Sequence, residues 1–293
     1  MDLRSARRAA AALARRHHLT GVLTFDEPHL QLAAQLSTDL GLPGHSTATA
    51  AVLHDRDALG ACFDAAGLPQ LAPARRDGGM PETAADLAAE ITVTCVTHYG
   101  STTPITVTRT HLAEQLPVLS VEAADPLLAL VGPLAVASLD ALGVSNAVTT
   151  VAIRIEQDGT PWITGATGCL SSTHGLLVRH ATGIDLARAA AEIACGRAPE
   201  LTQTRHRAAA AQPIAAAEAG SLTMLHTDPR LADPTFLEPL LATSISSTIV
   251  VPIASDDHGT WSLQQLLAVG PTAGQCLDSL QEAAIALTAA ARR

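Results

Sequence analysis

The stretch Ala147-Val-Thr-Thr-Val-Ala-Ile-Arg-Ile-Glu-Gln-Asp-Gly-Thr-Pro-Trp-Ile-Thr-Gly-Ala166 carries the clearest fold signal in the chain. Its first part, residues 147–156, is rich in β-branched residues and predicts a strand. Gln157-Asp-Gly159 is typical of a tight turn, and residues 162–166 predict a returning strand. The stretch therefore predicts two antiparallel neighbours joined by a short turn.

Further helices and strands are predicted on both sides of this pair. Apolar periodicity and stop signals distinguish the helices, and β-branched runs distinguish the strands. Asp185 is expected to cap the helix that begins there. The mixture of elements predicts an α+β fold. The predicted helices are 4–16, 29–40, 47–53, 55–66, 125–142, 176–182, 185–195 and 273–291, and the other predicted strands are 21–25, 91–97, 105–109, 247–253 and 261–269.

Three segments are expected along the chain. A linker at residues 72–81, rich in proline, glycine and arginine, is the best candidate boundary. It separates a first segment, 1–74, from a core segment, 82–200, and residues 201–293 are expected to form a small α+β subdomain.

Composition limits the class of protein. The chain has 293 residues, of which 47% are hydrophobic and 16% charged, so it can bury a real core and is not disordered. No apolar run reaches the ~18 uncharged residues of a membrane-spanning helix, and residues 1–21 lack the apolar centre of a signal peptide. We therefore expect a cytoplasmic protein with no membrane contact. A net charge of −10, with scattered basic residues, makes nucleic acid an unexpected partner.

The inventory of side chains excludes several chemistries. All 18 basic residues are arginine, so Schiff-base lysines and phosphate-binding lysines are absent. The five cysteines are far apart and form no CxxC pair, which favours reduced thiols over disulfides or a zinc site. The twelve histidines form no HxH or HExxH motif.

Four fragments, taken in order, resemble the carboxylate–amine ligase branch of the ATP-grasp superfamily. They are residues 24–73, with the pair Asp55-Arg56 and Ala66-Gly-Leu-Pro69, then Ala141-Leu-Gly-Val144, residues 148–159, and Ala181-Thr-Gly-Ile-Asp-Leu186. The resemblance implies a C-terminal domain with an antiparallel sheet flanked by helices and an N-terminal α/β remnant. It also implies that the ATP-binding lobe is largely missing, because only about fifteen residues separate Ala74 from Glu90, where strands and helices of usual length need roughly forty.

The resemblance also identifies the positions of the family's active site. Its members join a carboxylate to an amine through an acyl phosphate made from ATP, with magnesium held on two adjacent strands by acidic residues and an asparagine. The matching positions here are Ala152, Gly165 and Thr167. These residues offer almost no anionic oxygen, so we expect neither a metal nor a cofactor. Arg56 stands where the family has a lysine, and it is a candidate phosphate ligand or a solvated arginine.

Several residues are candidates for a retained substrate site. Arg154 is a candidate for binding a substrate carboxylate, with an ion pair to Glu156 as the alternative. Cys169 is a candidate nucleophile if His174 or His180 lowers its pKa, and a buried inert thiol otherwise. The remaining substrate-binding candidates are Thr167 and the two serines, Ser171 and Ser172, that replace the family's glycine pair.

Three functions follow as hypotheses. The first is a degenerate ligase-like protein that acts by binding, as an accessory subunit of an intact ATP-grasp ligase or as a homodimer, because removal of a lobe uncovers apolar surface. The second is an ATP-independent enzyme acting on a small amino-acid-like carboxylate in the retained cleft. The third is an active ligase whose metal ligands have moved to other residues.

Overall fold

The computed structural model describes residues 3–71, 90–113, 116–213, 247–255 and 261–291. Within these ranges the chain forms one eight-stranded sheet with helices on both faces. The strands are β1 (Glu90–His98), β2 (Ser101–Ala113), β3 (Leu116–Glu122), β4 (Asn146–Ile155), β5 (Pro161–Thr167), β6 (Ala208–Pro213), β7 (Ser247–Ser255) and β8 (Trp261–Gly270). The helices are α1 (Leu3–Arg16), α2 (Leu30–Leu40), α3 (Thr47–His54), α4 (Arg56–Ala65), α5 (Leu127–Ala141), α6 (Ser172–Thr182), α7 (Leu186–Ala194) and α8 (Ala273–Ala291), with a 3-10 turn at Glu27–His29.

Every neighbouring pair of strands in this sheet is antiparallel, in the spatial order β5-β4-β1-β2-β3-β6-β8-β7. The predicted pair of strands around Gln157-Asp-Gly159 is confirmed as β4 and β5, which form one edge of the sheet. The strands predicted at 91–97 and 105–109 are confirmed within β1 and β2, which pair through a tight two-residue turn in which Tyr99 and Gly100 both have positive φ, 48° and 77°. The α+β fold with an antiparallel sheet is therefore confirmed.

Short capping residues set the starts of several helices. The side chains of Ser46, Asp55 and Ser171 accept backbone N–H groups at the starts of α3, α4 and α6. The predicted cap Asp185 is confirmed, since its carboxylate accepts the amide of Arg188. Each such cap contributes about 1 kcal/mol to helix stability.

Different helices pack against the two faces of the sheet. Helix α5 covers one face of β1 and β2, where its buried residues Val131 and Leu139 pack in one core with Val93, Val151 and Ile153. Each such side chain contributes roughly 1.5–3 kcal/mol by leaving water. Helices α6 and α7 cover the opposite face. On that opposite face, the edge strand β5 and its neighbours β4 and β1 border a cavity.

The first segment differs from expectation at residues 21–25, where the predicted strand is wrong. This stretch runs as irregular chain beside the end of α7. A Cβ on Gly21 would lie 2.6 Å from the carbonyl oxygen of Ala194, so the close approach of two backbones takes the place of strand pairing. In the described part of the chain, residues 3–71 are consequently helical and irregular.

Two strands were not predicted. Strand β6 begins with the run Ala208-Ala-Ala-Ala211, and β3 has little β-branched content. Because β3 pairs with β6 and β6 with β8, strands from 82–200 and from 201–293 share one sheet. The predicted linker 72–81 lies outside the described residues. Among the helices that the structure describes, none has the length and apolar character needed to cross a membrane.

Candidate functional site

A cavity of about 570 Å³ lies against the exposed edge of the sheet. Its floor is formed by β1, β4 and β5, its wall by α3 and α4, and its far end by the start of α6. Phe25 and Glu27, in the segment between α1 and α2, complete the rim. The cavity therefore lies where the resemblance placed the family's active site.

The floor of the cavity brings together the positions that match the metal-binding residues of the ATP-grasp family. Ala152 of β4 is the direct partner of Gly165 on β5, and Thr150 is the partner of Thr167. Residues directly opposite in an antiparallel pair point to the same face. The hydroxyl groups of Thr150 and Thr167 are 2.7 Å apart and hydrogen-bond to each other. The register of β4 and β5 therefore places Ala152, Gly165 and Thr167 on one surface, the floor of the cavity.

The chemistry of this floor does not fit a magnesium ion. Mg²⁺ takes six hard oxygen ligands in near-octahedral geometry and is usually held through carboxylates. The floor offers the hydroxyl groups of its threonines, the methyl group of Ala152, and Gly165, which has no side chain. Among the described residues that line the cavity, Glu27 is the one with a carboxylate. In the described part of the chain, no group of three His, Cys, Asp or Glu side chains could hold a metal.

Two side chains of opposite charge line the cavity. Arg56 is the first residue of α4, directly after the N-cap Asp55, and it is exposed. Glu27 belongs to the 3-10 turn on the other side and is also exposed. The cavity thus combines one cation, one anion and several hydroxyl groups, of which Arg56, Thr167 and Ser171 were predicted from sequence as binding residues.

The start of α6 holds a serine and a histidine in contact. Ser171 is the N-cap, and its Oγ accepts the backbone N–H of His174 at 3.2 Å. The same Oγ lies 2.6 Å from His174 Nδ1. Burial lowers the pKa of His174, so the ring is neutral at pH 7. Its Nε2 is buried and has no hydrogen-bond partner among the described residues.

Cys169 lies in the same cavity but is not activated by its surroundings. Burial, and then the negative charges of Glu27 and Asp26, raise the pKa of the Cys169 thiol to about 11. The thiol is therefore protonated at neutral pH, whereas a nucleophilic cysteine needs a lowered pKa. The structure brings Cys169 and His174 to the same cavity, and the residue that contacts His174 is Ser171.

Two of the predicted substrate-binding residues, Arg154 and Ser172, are not among the residues that line this cavity. Arg154 is the direct partner of Glu90 on β1 and of Trp162 on β5, toward one end of the sheet edge. Glu90 also accepts the hydroxyl of Thr164 at 3.2 Å. Ser172 lines a neighbouring groove and not the cavity floor.

That groove, of about 290 Å³, runs along the outer side of α6. It is lined mainly by apolar groups of Phe25, Leu170, Leu176 and Ala187, and the charged pair Arg179 and Asp185 also borders it. Ser171 borders both the groove and the cavity. Sequence reasoning did not find this groove, because its four apolar residues come from four separate segments and form no motif.

His45 is a further residue that sequence reasoning missed. It is buried behind the cavity, where its Nε2 donates a hydrogen bond of 3.0 Å to the carbonyl oxygen of Gly168. Burial lowers the pKa of His45, and the bond to Gly168 opposes this in part. The bond ties the segment before α3 to the loop that follows β5, and so fixes one side of the site.

Comparison with known proteins identifies the fold but no close relative. No family model and no curated protein matches the chain. Among solved structures, an L-amino acid ligase from Bacillus licheniformis superposes with a TM-score of 0.69 at 13% identity, covering 96% of this chain and 83% of that one. An N5-carboxyaminoimidazole ribonucleotide synthetase in its ADP complex gives a TM-score of 0.68 at 11% identity, with 98% and 85% coverage.

A phosphoribosylglycinamide synthetase from Anaerococcus prevotii gives a TM-score of 0.61 at 14% identity, with 96% and 85% coverage. These similarities show that the chain has the ATP-grasp fold. This is the fold that the sequence fragments indicated.

Proposed function

We propose that this protein is a ligase-like binding protein that has lost magnesium–ATP chemistry and holds a small ligand in the retained cavity. One observation carries the proposal: the paired positions Ala152 and Gly165 have no carboxylate, while the cavity above them remains open at about 570 Å³. A cation-bound triphosphate needs anionic oxygens on the protein, which this floor does not supply.

The charges at the cavity favour an amino-acid-like ligand. Arg56 presents a guanidinium group, which suits a carboxylate, and Glu27 presents a carboxylate, which suits an ammonium group. The hydroxyls of Thr92 and Thr164 add neutral donors and acceptors. A zwitterion of amino-acid or dipeptide size complements this set better than a polyanion does.

We further propose that the protein acts as an accessory subunit, paired with an intact ATP-grasp ligase or with a second copy of itself. Leu23 and Phe25 support association, because they are 42% and 48% exposed next to the cavity. One similar structure, a biotin carboxylase domain of Hydrogenobacter thermophilus, is a dimer. Native mass measurement tests this part, and a monomer that copurifies with no ligase would contradict it.

Thermal denaturation with two probes tests the binding function. A ligand that binds only the folded state raises the melting temperature when it exceeds its Kd. We expect no shift with MgATP, and a shift with members of an amino-acid and dipeptide panel that Arg56→Gln removes. Arg8→Gln, which changes an equally exposed arginine on α1, is the matched control. A shift with MgATP would contradict the proposal and would favour an active ligase with relocated ligands.

A further inference from the structure

Ser171 lies on the ridge between two concave surfaces of different chemistry. On one side is the cavity, with its hydroxyl and charged groups, and on the other is the apolar groove lined by Phe25 and Leu176. A molecule with one polar and one apolar part can occupy both surfaces at once across the boundary that Ser171 and Phe25 form. Ser171 supplies the hydroxyl group at this boundary, so a bond that joins the two parts there lies beside that hydroxyl.

The hydroxyl of Ser171 is paired with a base. A neutral imidazole carries one ring proton, and with that proton on Nε2 the lone pair of Nδ1 accepts the Ser171 O–H at 2.6 Å. A serine whose proton is taken by an adjacent imidazole is the usual arrangement of an activated hydroxyl nucleophile. The distance lies within the range expected for such a pair.

The position of Ser171 also favours the charge that forms during attack. It caps α6, an eleven-residue helix, and the N-terminus of a helix carries partial positive charge. Backbone N–H groups in the first turn of a helix lack intrahelical partners, and they stabilise a developing oxyanion.

A separate feature of His174 points to a ligand. Its Nε2 is buried at the cavity and has no partner among the described residues, and a buried polar atom of this kind costs free energy until a partner arrives. A polar group of a bound molecule, such as the alcohol part of an ester, supplies that partner.

We infer that Ser171 and His174 form a nucleophile–base pair that hydrolyses a carboxylic ester whose apolar acyl part lies in the groove and whose polar alcohol part lies in the cavity. Ser171 Oγ bonds to the carbonyl carbon while its proton passes to His174 Nδ1. The ester C–O bond then breaks, and the proton leaves on the alcohol. Water attacks the acyl-serine and gives a proton to Nδ1, which returns to Oγ as the acid departs. Water is the only co-reactant.

Labelling and turnover with defined probes test this inference on the full chain. A fluorophosphonate probe is expected to modify Ser171, as mapped by peptide mass spectrometry, and p-nitrophenyl butyrate is expected to be hydrolysed. Ser171→Asn removes the nucleophile but keeps a residue suited to helix capping, and it should lower turnover at least ~100-fold. The matched control is Ser46→Ala, which removes the cap of α3 away from the cavity and should keep turnover.

The base is tested by the pH profile. Wild-type turnover should fall as the pH drops through the pKa of His174, which burial places below its usual value. His174→Gln should lose that dependence together with ~100-fold or more of the rate. Labelling at a residue other than Ser171, or equal turnover by wild type and Ser171→Asn, would overturn the inference. Neither result bears on MgATP binding, so the proposed binding function is tested separately.

Discussion

Ala152 on β4 and Gly165 on β5 are direct partners across the antiparallel ladder, and both face the cavity. Cβ atoms of such partners lie about 4.5–5.5 Å apart. Two carboxylates placed there would be close enough to share one divalent ion. A Cβ built on Gly165 has no heavy atom within 4 Å, so the structure has room for a longer side chain at this position.

The double variant Ala152→Glu with Gly165→Glu is therefore expected to create a weak cation site. Isothermal titration with Mg²⁺ or Mn²⁺ should give a Kd of about 1 mM or tighter, and wild type should show no saturable binding. Gly274→Glu is the control, since a Cβ there also meets open space but lies on α8, far along the chain from the cavity. Saturable binding by wild type would show that the cavity keeps metal ligands outside this pair.

A second prediction concerns Gly168, three residues after Gly165. A Cβ on Gly168 would lie 2.5 Å from Leu30 Cδ2 and 2.9 Å from Leu53 Cδ1, and both leucines are buried. Gly168→Ala should lower the free energy of unfolding by about 1–3 kcal/mol through overpacking. Gly165→Ala is the control and should change little. Urea denaturation of the two variants measures the difference, and equal stabilities would contradict the packing shown at Gly168.

The parts of the fold that local sequence dictates were predicted correctly. β4 and β5 are β-branched runs around an Asp-Gly turn, and α7 begins at the cap Asp185, so each element has its cause within its own residues. The strand predicted at 21–25 is wrong because an alternation of apolar residues does not distinguish a strand from irregular chain that packs against a helix. Here the chain packs against the end of α7. Strand pairing needs a partner edge, which local sequence does not reveal.

The residues of the candidate site could be predicted from sequence only where they lie within or beside a recognisable sequence motif. Thr167 ends the returning strand β5, and Ser171 and His174 follow it closely in sequence. Glu27 and His45 reach the site through the folding of a distant segment. The contact between Ser171 and His174 is visible in hindsight as a three-residue spacing across a helix start. The raised pKa of Cys169 depends on burial and on two acidic neighbours, and no spacing in the sequence carries that information.

Strand β6 leads to a third prediction. Its alanines have low strand propensity, but residues 208–211 are at most 1% exposed, packed between α6 on one face and α8 on the other. Ala210→Val should therefore destabilise the protein by about 1–3 kcal/mol although valine favours strands. Ala152→Val places the same extra methyl groups beside the open cavity and should be near neutral. A stabilised Ala210→Val variant in urea denaturation would show that propensity outweighs packing here.

The buried His45 leads to a prediction about pH. Because burial lowers its pKa in the folded state, the unfolded chain binds a proton that the folded chain does not as the pH falls below the ordinary histidine value of 6.5. The contribution of His45 to stability is complete above pH 6.5 and is lost as the pH falls toward the folded-state pKa. Its limiting slope is about 1.4 kcal/mol per pH unit.

His45→Gln removes this titration while its amide can still donate a hydrogen bond to the Gly168 carbonyl, so the free energy of unfolding should vary less between pH 7 and pH 5 than in wild type. His111 and His174, whose pKa values burial also lowers, keep the remaining slope in both proteins. Gln31→Asn, which changes an exposed side chain of α2 that does not titrate, should retain the wild-type slope. Urea denaturation at half-unit pH steps measures all three proteins, and an unchanged slope in His45→Gln would mean that His45 is protonated equally in the folded and unfolded chain.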